Sequence, residues 1–334
     1  MPSDFFDSVL ILVERKLKAF DNYLKIIGES MLTGQKILVT GATGQVARPI
    51  AEQLNANNEV WAAARFSDPE AKQALEAQGI NTVAFTMGES DLSHMPDVDY
   101  VIHCGVNTMP KTTDIGLHDN AEGTGFLMTR YRNVKAFFHM SSDSVYRDTA
   151  DPKEIIDESA VLGGYSNYAK HYAMSKLVAE GVVRFQAREL NLPTIIARLD
   201  VAYGVCGHGG VPTVLYQFMQ GGIPYTQKDN GESYCCPIHQ DDIVQQIQGL
   251  IAHASVPATT VNLGGDEVVS VEEMIRYIES LTGLTMKMEV GELATWGMKV
   301  VDNTLRKKLA GPCHIGWQDG VKGVLEARFP GCLK

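Results

Sequence analysis

From Lys36 onward the chain alternates between two rhythms of apolar positions. Short apolar runs, "KILVT", "EVWAAA", "VDYVIHCG", "AFFHMSS" and "PTIIARL", read as strands buried on both faces. The stretches between them, "RPIAEQL", "EAKQALEAQG", "EGTGFLMTRYR" and "YAMSKLVAEGVVRFQAREL", read as helices. Strand and helix in alternation predict parallel βαβ units and a doubly wound α/β sheet. After about Tyr203 the rhythm breaks. "GVCGHGGVP" reads as a loop, "YTQKDNGESYCCPI" as strand and turn, "TVNLG" as a strand and "VEEMIRYIESLTG" as a helix. A main domain over 35–203, with segments near 237–265 returning to it, and a smaller C-terminal lobe from 204–236 and 266–334 are expected.

The first thirty residues follow another pattern. Phe6, Leu10, Val13, Leu17, Phe20, Leu24 and Ile27 recur at alternating steps of four and three, the seam of an amphipathic helix. Ser3 suits its start and Gly28 its end. Packing on its own domain, contact with a partner chain and attachment to a membrane surface all fit such a helix.

Composition changes this picture little. Hydrophobic residues make up 45% of the 334 and charged residues 21%, the proportions of an ordinary globular chain. The net charge of -11 argues against nucleic acid as a partner, because phosphate binding needs a basic footprint. The six cysteines match no zinc spacing, so no metal is expected, and they read as thiols of a reducing compartment. No apolar run approaches the ~20 residues of a membrane span, and no secretory signal pattern opens the chain. A cytoplasmic enzyme is expected.

Candidate chemistry begins directly after the first strand. In "TGATGQVA", Thr40 to Ala47, Gly41 permits the tight turn and Gly44 lets backbone approach a pyrophosphate. Ala47 is small enough for the helix to lie against the strand. The helix start then offers unpaired N–H groups to phosphate, with Thr43, Gln45 and Val46 in the loop. A tight turn with no ligand is the competing reading. The second strand ends "AAARFS", placing Arg65 where an acid would hold the ribose of NAD. NADP(H) is therefore preferred, with NAD(H) the alternative. Asp91 and Leu92 are placed near the adenine, and Cys104 and Gly105 at the end of "VDYVIHCG" beside the cofactor.

In "HYAMSKLVAEG", Tyr172 and Lys176 stand four apart and share a helix face. A free tyrosine, with a pKa near 10, is a poor acid–base group at neutral pH, and a neighbouring ammonium favours its phenolate. Two ordinary side chains on an amphipathic helix have the same spacing.

Taken in order, the glycine loop, "NAEGTGFL", "SSDSVY", Tyr-x-x-x-Lys, "RLDVAYG", "PIHQDDIV" and "VNLGG" resemble one family. The chain looks like an extended short-chain dehydrogenase/reductase, of the NAD-dependent epimerase/dehydratase superfamily, from about Lys36 to its end. The resemblance implies a Rossmann dinucleotide-binding domain, with Tyr172 as the acid–base group and Lys176 on the nicotinamide ribose. It implies Ser142 as the hydroxyl polarising the reacting oxygen, Asn120 as the residue holding a backbone kink and a water near the lysine, and a homodimer formed through the Tyr–Lys helix and the helix before it. Tyr168 is the rival tyrosine, but four residues on stands Tyr172 instead of a lysine.

The resemblance leaves the reaction open. An NADP(H)-preferring oxidoreductase acting on the carbonyl or alcohol of a small, non-nucleotide substrate is the first expectation. A nucleotide-sugar epimerase or dehydratase with tightly held NAD is the alternative, and a non-catalytic cofactor sensor the third. The nucleotide-sugar enzymes usually carry an arginine just before His-x-x-Asp, where this chain has Cys235, and a thiol makes no bidentate contact to a diphosphate. Dehydratases tend to follow the catalytic hydroxyl with Asp-Glu; here Asp143 is followed by Ser144. "YGVCGHGG", "YTQK" and "ATWGMKV" read as pocket lining with few basic groups, so Asp143, Tyr168, Tyr203, His208 and Cys235 are the expected substrate contacts. Lys111, His208, Lys228 and Lys299 are the residues from which a phosphate site could be built.

Overall fold

The computed structural model describes residues 32–164, 169–229, 231–293 and 295–334; the helix expected over 1–30, and Tyr168, lie outside the described residues. Seven strands form the central sheet. They are β1 (Lys36–Thr40), β2 (Glu59–Ala64), β3 (Asn81–Ala84), β4 (Tyr100–His103), β5 (Ala136–Ser142), β6 (Thr194–Leu199) and β7 (Thr259–Leu263). Their order is β7-β6-β5-β4-β1-β2-β3, and every neighbouring pair is parallel. The chain winds outward from β1 to β3, crosses back, and winds outward again from β4. Such a reversal opens a crevice at the carboxyl ends of β1 and β4.

Both faces of the sheet are covered, which is why its strands read as apolar runs. Ile37 and Val39 of β1 point into one core layer with Ile102, Phe138 and Ile195, while Leu38 points into the other with Val101, Phe137 and Ile196. Helices α1 (Ala47–Leu54), α2 (Pro69–Glu76), α3 (Gly123–Arg130), α4 (Lys170–Glu189) and α5 (Gln240–Ile251) follow the periodic segments. β3 had no apolar run to announce it. It lies at the sheet edge, with Asn81 and Ala84 exposed and Thr82 and Val83 half-buried.

A buried ion pair ties α4 to the sheet. The Arg198 guanidinium on β6 makes a fork of 2.8 and 2.9 Å to the two Glu180 oxygens, and the Ser141 hydroxyl donates to the same carboxylate at 2.7 Å. Glu180 is one turn beyond Lys176, so this pair sets where the lysine stands. A further apolar cluster gathers Tyr203, Leu215, Tyr225, Met274, Ile278, Trp317 and Leu325, away from the sheet's two layers. Near it the strands are short: Tyr225–Lys228 pairs with Met288–Gly291, and Tyr234–Cys235 with Val269–Ser270.

Candidate functional site

The glycine loop turns back tightly at Gly41, whose φ of +73° favours glycine. A Cβ there would meet the Gly105 Cα at 2.9 Å, because the ends of β1 and β4 run side by side. The start of α1 has no side-chain cap at Val46, so its first N–H groups face outward. A cavity of about 580 Å³ lies over them. Gly41, Thr43, Gly44, Gln45, Val46, Arg65, Cys104 and Gly105 all line it. An uncapped helix start, backbone packed too closely for a Cβ, and a cleft of this size fit a dinucleotide pyrophosphate. Gln45 also holds the loop to the chain beyond β6, donating from Nε2 to the Ala202 carbonyl at 2.8 Å.

A second cavity, of about 400 Å³, adjoins the first and shares Thr108, Met109, Ala202 and His208 with it. Ser142, at the end of β5, and Tyr172, in the first turn of α4, line it together. The Ser142 hydroxyl donates to Asp143 at 3.2 Å and accepts from the Ser144 N–H. Lys176 lines neither cavity. It is 3% exposed, and its Nζ donates to the Met140 carbonyl at 2.5 Å. Burial pulls its pKa down from 10.5 to about 8, against the opposing pull of the Glu180 carboxylate.

Asn120 sits in a π-helical turn, Leu117–Glu122, which rotates its side chain inward. It accepts from the Asn107 N–H at 2.7 Å and donates to the Asn107 carbonyl and to the Ser175 hydroxyl, each at 2.9 Å. Ser175 in turn donates to the Tyr172 carbonyl. Asn120 therefore joins the loop after β4 to the turn of α4 that bears the tyrosine. Behind it, His103 bridges Thr40 and Thr124 at 2.7 and 2.9 Å. Burial, with Lys176 nearby, lowers His103 to about 3, so this bridge is neutral. Burial likewise holds Cys104 as a thiol, raised to about 12.

The second cavity is rich in carboxylates. Asp143, Asp148 and Asp200 line it with one cation, Lys299. Lys299 pairs with Asp148 at 3.1 Å and is 5% exposed. Asp200 accepts from the Cys236 N–H through one oxygen; its other oxygen is buried with no hydrogen-bond partner. Desolvation, then the Asp143 charge, pushes Asp200 well above the usual carboxylate range, and desolvation raises Asp143.

Besides Lys176, four expected contacts stand outside the two cavities. Asp91 is exposed on the surface, accepting from the Ser93 N–H, and Leu92 is in the core. The wall near Arg65 is instead Phe85, Thr86 and Met87, directly after β3, whose short edge strand gave no sequence signal. Tyr203 is 1% exposed, edge-on to His239 within the C-terminal cluster. Cys235 is fully buried, its thiol directed at the Val269 carbonyl. Asp143 and His208 do line the second cavity. Of the cations considered for a phosphate site, Lys299 and His208 reach it, while Lys111 and Lys228 do not. "ATWGMKV" supplies Trp296 to Lys299, whereas Tyr225 of "YTQK" is buried and donates to Glu272. Asp200, within "RLDVAYG", is a lining residue that sequence reasoning did not single out; its only signal is an acid at the end of an apolar strand. Among the described residues no cluster of acids, histidines and cysteines could hold a metal, and no helix is long and apolar enough to cross a membrane.

Comparison with known proteins agrees with this architecture. The model of the NAD dependent epimerase/dehydratase family matches residues 37–264. The chain is 24% identical over 286 residues to a hybrid PKS-NRPS synthetase of Penicillium oxalicum; the match takes in 78% of this chain but 7% of that much longer protein. It is 23% identical over 262 residues to the dTDP-4-dehydro-6-deoxyglucose reductase of Escherichia coli, covering 73% of this chain and 80% of that one. Among solved structures, the UDP-glucuronic acid 4-epimerase of Bacillus cereus, in complex with UDP-glucuronic acid and NAD, superposes with a TM-score of 0.74 at 22% identity, over 88% of this chain and 98% of that one. The UDP-glucose 4-epimerase of Thermotoga maritima gives 0.73 at 19% identity, over 87% and 98%. The extended match, the seven-stranded parallel sheet and the glycine loop lead to one assignment: this chain is an extended short-chain dehydrogenase/reductase of the NAD-dependent epimerase/dehydratase family.

Proposed function

We propose that this enzyme moves a hydride between a nicotinamide cofactor and a hydroxyl-bearing carbon of a sugar-like substrate, with nucleotide sugars as the first class to test. One observation carries the reading. Ser142 and Tyr172 line a single cavity that opens onto the cavity above the glycine loop. The named activities of the relatives, UDP-sugar epimerases and a deoxysugar reductase, support the same class.

The nicotinamide supplies hydride acceptance and return when bound. The chain's own groups do the rest. The Tyr172 phenolate takes a proton from the substrate oxygen as its carbon loses hydride, and the phenol returns one as the carbon gains hydride. The Ser142 hydroxyl donates a hydrogen bond to that oxygen and stabilises charge developing there. Lys176, a buried cation that donates to the Met140 carbonyl behind the cavity wall, favours the phenolate and would hold the nicotinamide ribose. Asn120 fixes the α4 turn that presents the phenol. Residues 204–236 and 266–334 act as the substrate lobe. Two chains pair through α3 and α4, whose exposed Phe126, Met174, Val178 and Phe185 are unusual on a free surface.

A second reading, an NADP(H)-dependent reductase of an uncharged carbonyl substrate, draws on two specific observations. Arg65 lines the first cavity, where it would meet a 2′-phosphate, and among the described residues no arginine lines the second to pair with a diphosphate. Denaturing the purified protein and identifying released nucleotide separates the two. An epimerase or dehydratase recycles its cofactor and holds it; near-stoichiometric NAD⁺ is the outcome expected for the first reading. An empty site or traces of NADP would favour the reductase.

A further inference from the structure

The loop 204–210 joins the short strand Ala202–Tyr203 to the helix Val211–Gly221 and rests against the glycine loop. Gly207, at a φ of +57°, comes so near that a Cβ there would lie 2.8 Å from the Gln45 nitrogen. Gln45 returns the contact by donating to the Ala202 carbonyl. The loop is also tied to two helices. Arg328, at the end of the helix Trp317–Arg328, donates to the Val205 carbonyl, and the Cys206 N–H donates to the Gln240 side chain at 3.2 Å. Loop 204–210 is therefore held beside the start of α1, where a pyrophosphate fits.

His208 is carried by this loop and lines both cavities. Its Nδ1 accepts from the Gly210 N–H at 3.2 Å, so the neutral ring bears its proton on Nε2, at the other edge. Partial desolvation, then the Arg328 charge, keeps the ring below its usual pKa and so neutral at pH 7. Among the described residues no acceptor takes the Nε2–H. The edge left for a ligand is thus a donor.

We propose that His208 is a cofactor-binding residue whose Nε2–H donates to the nicotinamide-side phosphate of the dinucleotide, with loop 204–210 as the strap that retains it. The proposal rests on reading the first cavity as the dinucleotide site and the second as the reacting end; it does not depend on which substrate is turned over. A phosphate beside Gln45 has the N–H groups of the helix start and this ring as donors, and a charged acceptor makes each bond roughly twice as strong as a neutral one. Because His208 also lines the cavity of Ser142 and Tyr172, the phosphate it meets is the one joined to the nicotinamide ribose.

NADH, NADPH, ADP-ribose and AMP serve as probes, with resident nucleotide first removed on charcoal. ADP-ribose keeps both phosphates without the nicotinamide, and AMP keeps only the adenosine-side one. Calorimetry reads affinity, and stopped-flow fluorescence reads release of the reduced dinucleotide. His208→Ala is expected to weaken the preferred dinucleotide and ADP-ribose by about tenfold each, mainly through faster release, and to leave AMP within about twofold. His208→Gln, which keeps a terminal N–H, should recover most of the loss. A loss with the dinucleotide but not with ADP-ribose would move the contact to the nicotinamide. An equal loss with AMP, or no recovery in His208→Gln, would mean that the ring packs the loop instead of donating. Each of these overturns the proposal. Affinities untouched by His208→Ala sink it alone, whereas a wild-type protein that binds neither dinucleotide sinks the cofactor reading and the proposal with it.

Discussion

The two adjoining cavities are built in different ways. The cavity over the glycine loop is made largely from backbone contributed by the carboxyl ends of neighbouring strands, β1, β2 and β4. Its demands fall on residues that must be small or adopt positive φ, such as Gly41. The second cavity is made from side chains of the segments around residues 108, 143, 172, 200, 210 and 297, which lie far apart in the chain. Backbone geometry constrains sequence tightly, because few residues tolerate it. A wall of side chains can be assembled in many ways, so it leaves chemistry to vary on a constant frame.

The sharpest way to break this contrast is to remove one atom from the wall of the second cavity. Tyr172→Phe keeps the ring and deletes the hydroxyl. Turnover is expected to fall by about 10²–10⁴-fold, the usual worth of positioned acid–base catalysis, with cofactor affinity within a few-fold. Steady-state kinetics on the identified substrate and a cofactor titration check both halves. Retained turnover would move the acid–base role to another group.

Glu180→Gln acts on the frame. Arg198 would keep its charge in the interior without a full partner, and breaking a buried pair typically costs about 3–5 kcal/mol. Denaturant unfolding should show the loss as a lower midpoint. A change below about 1 kcal/mol would mean that Arg198 finds compensation from the Glu158 carbonyl and the Tyr146 ring.

How far each cavity was legible follows from its construction. Gly41, Gly44 and Arg65 were readable because a strand, a glycine turn and a helix are local in sequence. Ser142 and Tyr172 were readable through an ordered set of family motifs, and the structure brings them to one cavity. Phe85 to Met87 were missed because β3 is a half-exposed edge strand, without the apolar run that marked its neighbours. Tyr203 and Cys235 were misplaced because position within a motif says nothing of direction: one packs into the C-terminal cluster, the other toward Val269. Asp200 and Lys299 meet only through the tertiary fold, from segments about a hundred residues apart.

Lys176 gives a pH test that links frame and site. Its folded pKa of about 8 lies below the 10.5 of an unperturbed lysine, so burial penalises the ammonium. Below pH 8 that penalty is present in full. Between about 8 and 10.5 the folded lysine has lost its proton while the unfolded one keeps it, and stability contributed by this group rises with pH, by about 3 kcal/mol across the window. Lys176→Met should lack this rise. Unfolding midpoints of both proteins at pH 7.5 and pH 9.5 measure it, and parallel curves would place the lysine titration outside this range.

The smallest expected effect bears on the readable cavity itself. Arg65 directly follows β2, exposed and without an ion pair among the described residues, so its loss should cost the fold little. Its contact would be with a 2′-phosphate, an ionic interaction partly screened by water and salt. Arg65→Ser should therefore weaken NADP(H) by about tenfold, near 1.4 kcal/mol, and leave NAD(H) within a factor of two or so. Calorimetric titration with each nucleotide at low and high salt reads both numbers. Equal weakening of the two would make Arg65 a general phosphate contact. No change in either would leave Phe85 to Met87 to set the preference, and the choice of cofactor would then rest on the part of this cavity that the sequence did not announce.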